Sequence, residues 1–277
     1  MAWNVALIGT GDMGQGLLVR LIKAGNAVKA FDVSTRNLDI ARKSGAEIAA
    51  SAADAARNTE VIHLLVRTDD QVLAAALGRD GVLEGAGEGA ILVLHSTIMP
   101  ATTLRVADAA KEKGIQVIDC PITARPRRVH AGEATFLVGG PEETVAKLRP
   151  HLESLGKQVF HFGPLTYGNI AKICKNVTNG IEWVMVSEAA RLAAAGGLDA
   201  RQFLDMAKSV STGAAVTNWE GFLAVENGQV VTSRHEPDEI LLSKDVQYAE
   251  ALAKLLGMDL PLIRHTAATA RKWIGAE

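Results

Sequence analysis

The sequence predicts an α/β fold with an N-terminal, doubly wound and mostly parallel sheet, a long connecting helix and an all-helical C-terminal domain. Short apolar runs alternate with amphipathic segments up to residue 163, which is the pattern of β-α-β units. A glycine-rich turn joins the first run to the first amphipathic segment. After residue 163 the apolar runs stop and helical periodicity takes over. We therefore predict two domains, at 1–162 and 163–277.

Seven apolar runs are the predicted strands of the first domain. Several are apolar at nearly every position, as expected when helices cover both faces of a sheet. Helical patterns separate them, for example at 12–24, 100–113 and 141–154. The seven runs are 3–9, 27–33, 61–66, 90–96, 115–121, 134–140 and 157–163.

The first strand leads into GTGDMG, in which Gly9, Gly11 and Gly14 form the pattern G-x-G-x-x-G, and a second strand ends at Asp32. Gly9 permits a tight turn, Gly11 lets the backbone approach a diphosphate, and Gly14 lets the helix pack on the strand. The helix start attracts phosphate, and the carboxylate of Asp32 accepts hydrogen bonds from a ribose. The complete unit predicts a dinucleotide-binding Rossmann domain. Its candidate cofactor-binding residues are Gly9, Thr10, Gly11, Asp12, Met13, Gly14 and Asp32.

The end of the second strand also bears on the choice of coenzyme. The carboxylate of Asp32 repels the additional phosphate of NADP, so NAD is favoured. Arg36 follows in the sequence VSTRN and offers a positive charge to a 2′-phosphate, with Ser34 and Thr35 beside it. NADP therefore stays open as the alternative, in which Arg36 is more than a solvated residue of the next helix.

The composition argues against several other classes of protein. The chain has 277 residues, 22% charged residues and a formal net charge of −2, which does not favour binding to nucleic acid or to anionic lipid. No apolar stretch is long enough to span a bilayer, and the N-terminal sequence is not that of a signal peptide. Cys120 and Cys174 form no metal or redox pair, and the histidines are scattered along the sequence, so no metal site is predicted. A reducing cytoplasm is the expected location.

The second half begins with a polar stripe whose purpose the local pattern leaves open. Ile173 and Val177 belong to an apolar stripe of the long helix, and Cys174 is expected to pack in the core with them. Lys172 and Asn176 lie on a polar stripe beside it, and exposure to water is the ordinary explanation of such a stripe. The helical patterns of this half are 166–196, 199–208, 238–256 and 259–273.

Four stretches of the chain resemble the β-hydroxyacid dehydrogenase family, which includes 3-hydroxyisobutyrate dehydrogenase and tartronate semialdehyde reductase. In that family the lysine of a G-x-x-x-K-x-x-x-N pattern lies in the cleft between domains, beside the nicotinamide. The resemblance implies Lys172 as the general acid and base, and Asn176 as the group that orients the substrate and the lysine. SKDVQYA at 243–249 is a weaker fifth match. The four stretches are ALIGTGDMGQGL (6–17), HSTIMPATT (95–103), DCPITARPRRVHAGEATFLVGG (119–140) and GNIAKICKN (168–176).

The predicted substrate loop departs from the family. The family usually has Ser-Gly-Gly after the proline of this loop, where small residues let backbone N–H groups approach a carboxylate. This chain has Thr123, Ala124 and Arg125, which are our candidate substrate-binding residues. Arg125 is suited to grip a second anionic group in a bidentate way, as in a dicarboxylate, phosphate or sulfonate. The alternative is a solvated turn, which we favour for the later residues of ARPRRVH.

Four further cofactor contacts are implied by the resemblance. Leu65 and Val66, in LLVRTDD, are expected to border the cofactor mainly through their backbone. Thr97 is expected near the nicotinamide ribose, although Ser96 and Thr97 are equally suited to cap the next helix. Lys244 matches a cofactor-side lysine of the family's K-D pattern, and an exposed helix lysine is the alternative.

Together these features predict an NAD(P)-dependent oxidoreductase that interconverts a small β-hydroxyacid and its semialdehyde or keto form. An imine reductase of related fold is one alternative, although such enzymes generally replace the catalytic lysine. A dinucleotide-binding module without turnover is another, supported only by the altered loop. The expected partners are a small anionic hydroxyacid or semialdehyde and further copies of the chain, since a long apolar helix and a small helical domain favour a homodimer or higher homo-oligomer. Neither nucleic acid nor a membrane is an expected partner.

Overall fold

The computed structural model describes residues 2–232 and 236–273, except for the side chains of residues 236–242. The chain divides into two compact units, Met1–Lys172 and Ile173–Glu277. The first unit contains two sheets with their helices, and the second is mostly helical. The division between the units falls inside the long helix.

The larger sheet has six parallel strands in the order β3-β2-β1-β4-β5-β6. This is the strand order of a doubly wound dinucleotide-binding fold, so the Rossmann prediction is confirmed. Ile8 pairs with Phe31 on one side and with Leu64 on the other, so these three strands end level with one another. The strands are β1 (Asn4–Ile8), β2 (Ala27–Phe31), β3 (Glu47–Ile48), β4 (Val61–Leu64), β5 (Ile91–Leu94) and β6 (Gln116–Asp119).

Both faces of this sheet are covered, as the nearly continuous apolar runs predict. Along β1, Leu7 belongs to one buried cluster and Ile8 to another, because successive side chains of a strand point to opposite faces. The helices that connect and cover the strands are α1 (Asp12–Lys23), α2 (Thr35–Lys43), α3 (Ala52–Ala56), α4 (Asp69–Leu77), α5 (Val82–Gly85) and α6 (Pro100–Lys111).

Two of the predicted strands belong to a second, three-stranded sheet rather than to the first. After β6 the chain passes through Pro121, which has no N–H to donate to a sheet ladder, and continues in a new sheet. The first pair of strands in that sheet is antiparallel and the second pair is parallel. Its elements are β7 (Ile122–Thr123), α7 (Pro126–His130), β8 (Thr135–Val138), α8 (Glu142–Leu155) and β9 (Gln158–His161).

The C-terminal region is helical as predicted, with the addition of one β-hairpin. Asn227 and Gly228 form its turn with φ of 50° and 76°, values that suit Asn-Gly in a tight hairpin. The hairpin is therefore signalled by an Asn-Gly pair between apolar residues. The elements are α9 (Tyr167–Ala195), α10 (Ala200–Val210), α11 (Ala214–Thr217), a 3-10 turn (Trp219–Gly221), β10 (Leu223–Glu226), β11 (Gln229–Thr232), α12 (Glu236–Leu255) and α13 (Pro261–Trp273).

The second unit has a small apolar core of its own. Trp183 stacks on Phe222 with ring centroids 4.5 Å apart, and Trp219 is buried in the same cluster. The prediction that Cys174 packs in a core is wrong, because Cys174 is exposed. It follows the buried Ile173 directly, and one residue of helix turns the side chain by about 100° away from the apolar stripe. None of the described helices combines the length and apolar character that a bilayer-spanning segment needs.

Candidate functional site

The glycine-rich turn between β1 and α1 is held by close backbone contacts. Gly9 has φ of 91°, and a Cβ atom there would lie 2.1 Å from the carbonyl oxygen of Leu65. A Cβ atom on Gly14 would lie 2.1 Å from the carbonyl oxygen of Gly9. Two of the three motif glycines are therefore required by the packing of the turn itself.

Gly11 has no such internal reason to be glycine. Its φ is −64°, and a Cβ atom there would meet nothing within 4 Å. Gly11 is the N-cap residue of α1, and no side chain caps this helix start. Asp12 is exposed and Met13 is partly buried against the core. The backbone N–H groups of the first turn and the open space at Gly11 fit the diphosphate of a dinucleotide.

Asp32 ties the end of β2 to the glycine-rich turn. One carboxylate oxygen accepts hydrogen bonds from the backbone N–H of Thr10 (2.6 Å) and from its hydroxyl (3.3 Å). The other oxygen accepts one from the N–H of Ser34 at 2.8 Å and so retains a free lone pair. That lone pair fits a ribose hydroxyl. The neighbouring Val33 is 93% exposed beside it, which the sequence analysis did not single out.

The candidate residues after β4 and β5 meet at the same edge of the sheet. The N–H of Leu65 donates to the carbonyl of Ile8 at 2.8 Å, and the N–H of Val66 donates to Ser96 Oγ at 3.0 Å. Both N–H groups are thus used within the protein, and the carbonyl oxygen of Leu65 packs against Gly9. Thr97 is half-buried, and neither it nor Ser96 is the N-cap residue of α6, which is Met99.

Lys172 lies at the end of the first unit, close to the predicted substrate loop. Its side chain is 9% exposed, and Nζ donates a hydrogen bond of 3.3 Å to Thr123 Oγ1. Asn169, one turn earlier in α9, is fully buried, and its Oδ1 accepts from the N–H of Ile98 at 3.1 Å. The start of the polar stripe is therefore enclosed by protein and does not face water.

The rest of the substrate loop forms the short helix α7. Ala124 packs partly against the core, and Arg125 is the exposed N-cap residue of α7. Arg128 is exposed and paired with Glu133 at 3.0 Å. α7 rests on α1, because a Cβ atom on Gly16 would lie 3.0 Å from Val129.

Asn176 and Lys244 lie in the second unit, where Asp245 joins them. Asn176 Nδ2 donates to Asp245 Oδ2 at 2.6 Å, and Lys244 Nζ lies 3.6 Å from Asp245 Oδ1. The amine of Lys244 also lies over the ring of Tyr248, 5.1 Å from its centroid. Asn176 and Lys244 are both predicted from the sequence, whereas Asp245 is not, although it follows Lys244 directly.

Asp119, at the end of β6, is a further buried polar residue that the sequence analysis did not identify. Its carboxylate accepts from the backbone N–H of Thr166 (2.7 Å) and of Asn169 (2.6 Å) at the start of α9. Burial raises its pKa to about 6, although these hydrogen bonds and one from Gly168 act in the opposite direction. A carboxyl group at the start of the helix that carries Lys172 therefore titrates close to neutral pH.

Three histidines that are distant in sequence form a buried chain of hydrogen bonds. His95 Nδ1 lies 2.7 Å from the carbonyl oxygen of Cys120, which can only accept, so Nδ1 carries the proton. His95 Nε2 then accepts from His63 Nδ1 at 2.7 Å, and His63 Nε2 accepts from His151 Nε2 at 3.1 Å. All three rings are satisfied when neutral. Within the described residues, no group of three or more His, Cys, Asp or Glu side chains is arranged to hold a metal ion.

The burial of these rings lowers their affinity for protons. Desolvation lowers the pKa of His95 and of His151 to about 4. It lowers the pKa of His63 well below 6.5, and the neighbouring rings add to the effect. A second proton on His63 or His95 would also place two N–H groups face to face in the chain. The histidines are thus neutral at physiological pH.

Two family models match the chain and together cover most of it. Residues 4–163 match the NAD binding domain of 6-phosphogluconate dehydrogenase. Residues 166–275 match a model described as the NAD-binding region of NADP-dependent 3-hydroxyisobutyrate dehydrogenase. Both halves of the chain are thus similar to NAD(P)-dependent enzymes of one group.

Individual proteins show the same similarity. The 3-hydroxyisobutyrate dehydrogenase of Pseudomonas aeruginosa is 32% identical over 266 residues, which are 94% of this chain and 88% of that protein. The NAD-dependent L-serine dehydrogenase of the same organism is 31% identical over 264 residues, 95% and 85% of the two chains. A structure of Mycobacterium tuberculosis 3-hydroxyisobutyrate dehydrogenase with L-serine has a TM-score of 0.83 at 26% identity, covering 99% of this chain and 94% of that one.

Imine reductases share the fold at greater distance. One from Myxococcus stipitatus, in complex with NAD+, has a TM-score of 0.63 at 21% identity and covers 100% of this chain and 95% of that one. At this identity the likeness concerns the fold alone. The extended matches to dehydrogenases decide the assignment: the chain belongs to the β-hydroxyacid dehydrogenase family and is an NAD(P)-dependent enzyme of that family.

Proposed function

We propose that this chain interconverts a small β-hydroxyacid and its semialdehyde or keto form, with Lys172 as general acid and base. The observation that carries the proposal is the position of Lys172, a residue that is only 9% exposed and whose amine donates a hydrogen bond to Thr123 Oγ1 at 3.3 Å. A proton-carrying group and a hydroxyl on the candidate substrate loop are therefore adjacent.

The proposed chemistry needs one group to exchange a proton with the substrate oxygen. When bound, the nicotinamide accepts or returns the hydride. Lys172 in its neutral form takes the hydroxyl proton during oxidation, and in its charged form returns it to the carbonyl oxygen during reduction. Asn176 follows one helical turn later on α9 and orients the substrate. Its amide donates one hydrogen bond to Asp245, which leaves its oxygen and a second N–H available.

The substrate class rests on Thr123, Ala124 and Arg125. Thr123 offers a hydroxyl, Ala124 is small, and Arg125 places an exposed positive charge at the start of α7. We propose that Arg125 binds a second anionic group of the substrate. For a dicarboxylate or phosphorylated hydroxyacid, Arg125→Ala should raise KM about 10- to 100-fold, the effect of losing a charge-assisted hydrogen bond. Arg127→Ala is the matched control, and equal KM values in both variants would favour the solvated turn.

We propose that NAD is the coenzyme of choice, because the open lone pair of Asp32 suits a ribose hydroxyl and its charge repels a phosphate. NADP remains the alternative, with Arg36 exposed nearby in sequence. Fluorescence titration with NADH and NADPH tests the choice, and tighter binding of NADPH would refute it. The proposed coenzyme contacts are Gly9, Thr10, Gly11, Asp12, Met13, Gly14, Asp32, Leu65, Val66, Thr97 and Lys244.

We further propose that residues 1–162 bind the coenzyme and that residues 163–277 serve substrate binding and dimerisation. Large apolar side chains are exposed in the second part, among them Leu192 at 76% and Val210 at 73%, which favours burial against another copy. Light scattering that shows only a 29.3 kDa species would contradict the homo-oligomer. The buried Cys120 and the exposed Cys174, both free, suit the reducing cytoplasm that we propose as the location.

Substitution of Lys172 separates this proposal from its alternatives. Lys172→Ala should abolish oxidation of hydroxyacids while NADH binding, followed by fluorescence, stays within about twofold. Lys157→Ala, at an exposed residue just before β9, is the control and should keep both the oxidation of hydroxyacids and the binding of NADH. Unchanged turnover in Lys172→Ala would refute the mechanism. Retained reduction of cyclic imines in that variant would favour an imine reductase, and a wild-type chain that binds NADH but turns over no hydroxyacid would favour a binding module.

A further inference from the structure

A joint between the end of β6 and the start of α9 fixes where Lys172 lies. The chain reaches Thr123 four residues after Asp119, and it reaches Lys172 three residues after Asn169. Asp119 and Asn169 are bonded to each other, carboxylate to backbone N–H, at 2.6 Å. The two segments that bring the Lys172 amine to the Thr123 hydroxyl are therefore joined at one place, a few residues before each functional group.

The joint is packed without room for side chains. A Cβ atom on Gly168 would lie 2.3 Å from the carbonyl oxygen of Leu137 and 2.9 Å from Asp119 Oδ2. A Cβ atom on Gly139 would lie 2.4 Å from Asp119 Oδ1 and 2.8 Å from the N–H nitrogen of Gly168. The glycine of the G-x-x-x-K pattern thus allows the helix start to approach the Asp119 carboxylate.

The backbone at the joint is held in an unfavourable conformation. Thr166 has φ of 84°, which a β-branched residue rarely adopts, and its N–H donates to Asp119 Oδ1 at 2.7 Å. Asp119 is itself fully buried, and its backbone exchanges two hydrogen bonds with Gly139, at 3.0 and 2.8 Å. The backbone of Asp119 is thus held in place while its carboxylate accepts hydrogen bonds from N–H groups at the start of α9. Its negative charge is of the sign that a helix start favours.

We propose that Asp119 is a positioning residue for the reaction: its ionised carboxylate anchors the start of α9 and so sets the distance between the Lys172 amine and the Thr123 hydroxyl. The inference rests on the proposed role of Lys172. It requires that the carboxylate accept every N–H it faces, because a protonated carboxyl turns one oxygen into a donor. Burial and, secondarily, the charge of Asp119 hold the pKa of the adjacent Cys120 thiol well above its usual range, so that thiol stays protonated.

The experiment compares Asp119→Asn with Asn26→Ala, which removes a buried side chain that bonds two backbone groups at the opposite, amino end of the sheet. Asp119→Asn keeps the size but presents an NH2 group to the helix start. We expect kcat to fall about 10- to 100-fold, as for a displaced proton-transfer group, with NADH affinity within about twofold. Asn26→Ala should lower stability and leave kcat near the wild-type value.

The pH profile gives a readout that a purely structural role would not change. In the reduction direction, where the charged form of Lys172 is the active one, kcat of the wild-type enzyme should decrease on the acid side with a pKa near 6, as Asp119 takes up a proton, and this limb should be absent in Asp119→Asn. Gly139→Ala is a second variant that keeps the carboxylate but crowds it, and it should reproduce the loss of kcat if Asp119→Asn does not fold.

The outcomes separate this inference from the proposed function. An unchanged kcat and acid limb in Asp119→Asn, or a wild-type kcat in Gly139→Ala, would overturn the positioning role while Lys172→Ala remained inactive. Turnover that survives in Lys172→Ala would instead overturn the proposed function.

Discussion

Acid should destabilise the first unit through its three buried histidines. His63, His95 and His151 are neutral and mutually bonded in the folded chain, whereas each titrates near 6.5 in the unfolded chain. Their folded pKa values are lowered, so their contribution to stability is complete above about pH 6.5 and is lost as the pH falls toward 4. The unfolded chain binds more protons throughout this window.

The size of the effect follows from the difference between the folded and unfolded pKa values of the rings. Between pH 7.5 and 5.0, a ring that titrates near 4 when folded loses about 2 kcal/mol of stabilisation, so His95 and His151 together lose about 4 kcal/mol. The pKa of His63 is also lowered, so this ring adds to the loss in the same direction. Asp119 acts in the opposite sense, since its folded pKa of about 6 is above the ordinary value of 3.8. Protonation of Asp119 therefore adds about 1 kcal/mol to the stability of the folded chain between pH 7.5 and 5.0. The net loss should therefore be at least about 3 kcal/mol, a large part of the stability of an ordinary domain.

Urea unfolding followed by far-UV circular dichroism at pH 7.5 and 5.0 measures this loss. His151→Leu should reduce the difference in the free energy of unfolding between pH 7.5 and pH 5.0 by about 2 kcal/mol. It should also lower stability at both pH values, because His63 Nε2 loses its hydrogen-bond donor. His130→Gln, at the exposed end of α7, is the control and should leave the difference as in the wild-type protein. Equal differences for the wild-type protein and His151→Leu would refute the reasoning.

Two further predictions concern the turn and the loop. Gly11→Ala should leave the midpoint of urea unfolding nearly unchanged, because its Cβ atom meets nothing within 4 Å, and should weaken NADH binding at least tenfold by fluorescence, because that atom enters the proposed diphosphate site. Gly14→Ala should weaken NADH binding and also lower the midpoint, because its Cβ atom would clash with the carbonyl oxygen of Gly9. Equal midpoints for the two variants would contradict this distinction. Thr123→Val should lower kcat about tenfold because one hydrogen bond of the Lys172 amine is lost, and Thr123→Ser should retain most of the activity. Equal kcat values for the two variants in steady-state assays would argue against a role for the hydroxyl.

The local parts of the fold and of the candidate site could be predicted from the sequence. The turn from Gly9 to Gly14 lies within one β-α unit, and its glycines, helix start and following strand are all visible in a short stretch. The long helix α9 was visible for the same reason, since its periodicity is uninterrupted. The Asn227-Gly228 turn is an equally local signal, but the four-residue strands beside it are too short to stand out against the helical periodicity of the segments around them.

Contacts between distant segments could not be predicted in this way. His63 and His151 are 88 residues apart, and their contact depends on how α8 packs across β4. Asp119 and Asn169 are 50 residues apart and meet only because β6 and α9 converge. No single pattern in the sequence encodes these distances, because each depends on strand order and on register.

Coenzyme choice and local order are linked through Asp32. The carboxylate that we propose as the group disfavouring a phosphorylated ribose also accepts two hydrogen bonds from Thr10, within the glycine-rich turn. Replacement of Asp32 to change the coenzyme would therefore loosen the glycine-rich turn, which is the proposed diphosphate site. Changes at the exposed Val33 and Arg36 alter the charge around the ribose while those two hydrogen bonds stay in place, which makes them the safer positions for an engineer to vary.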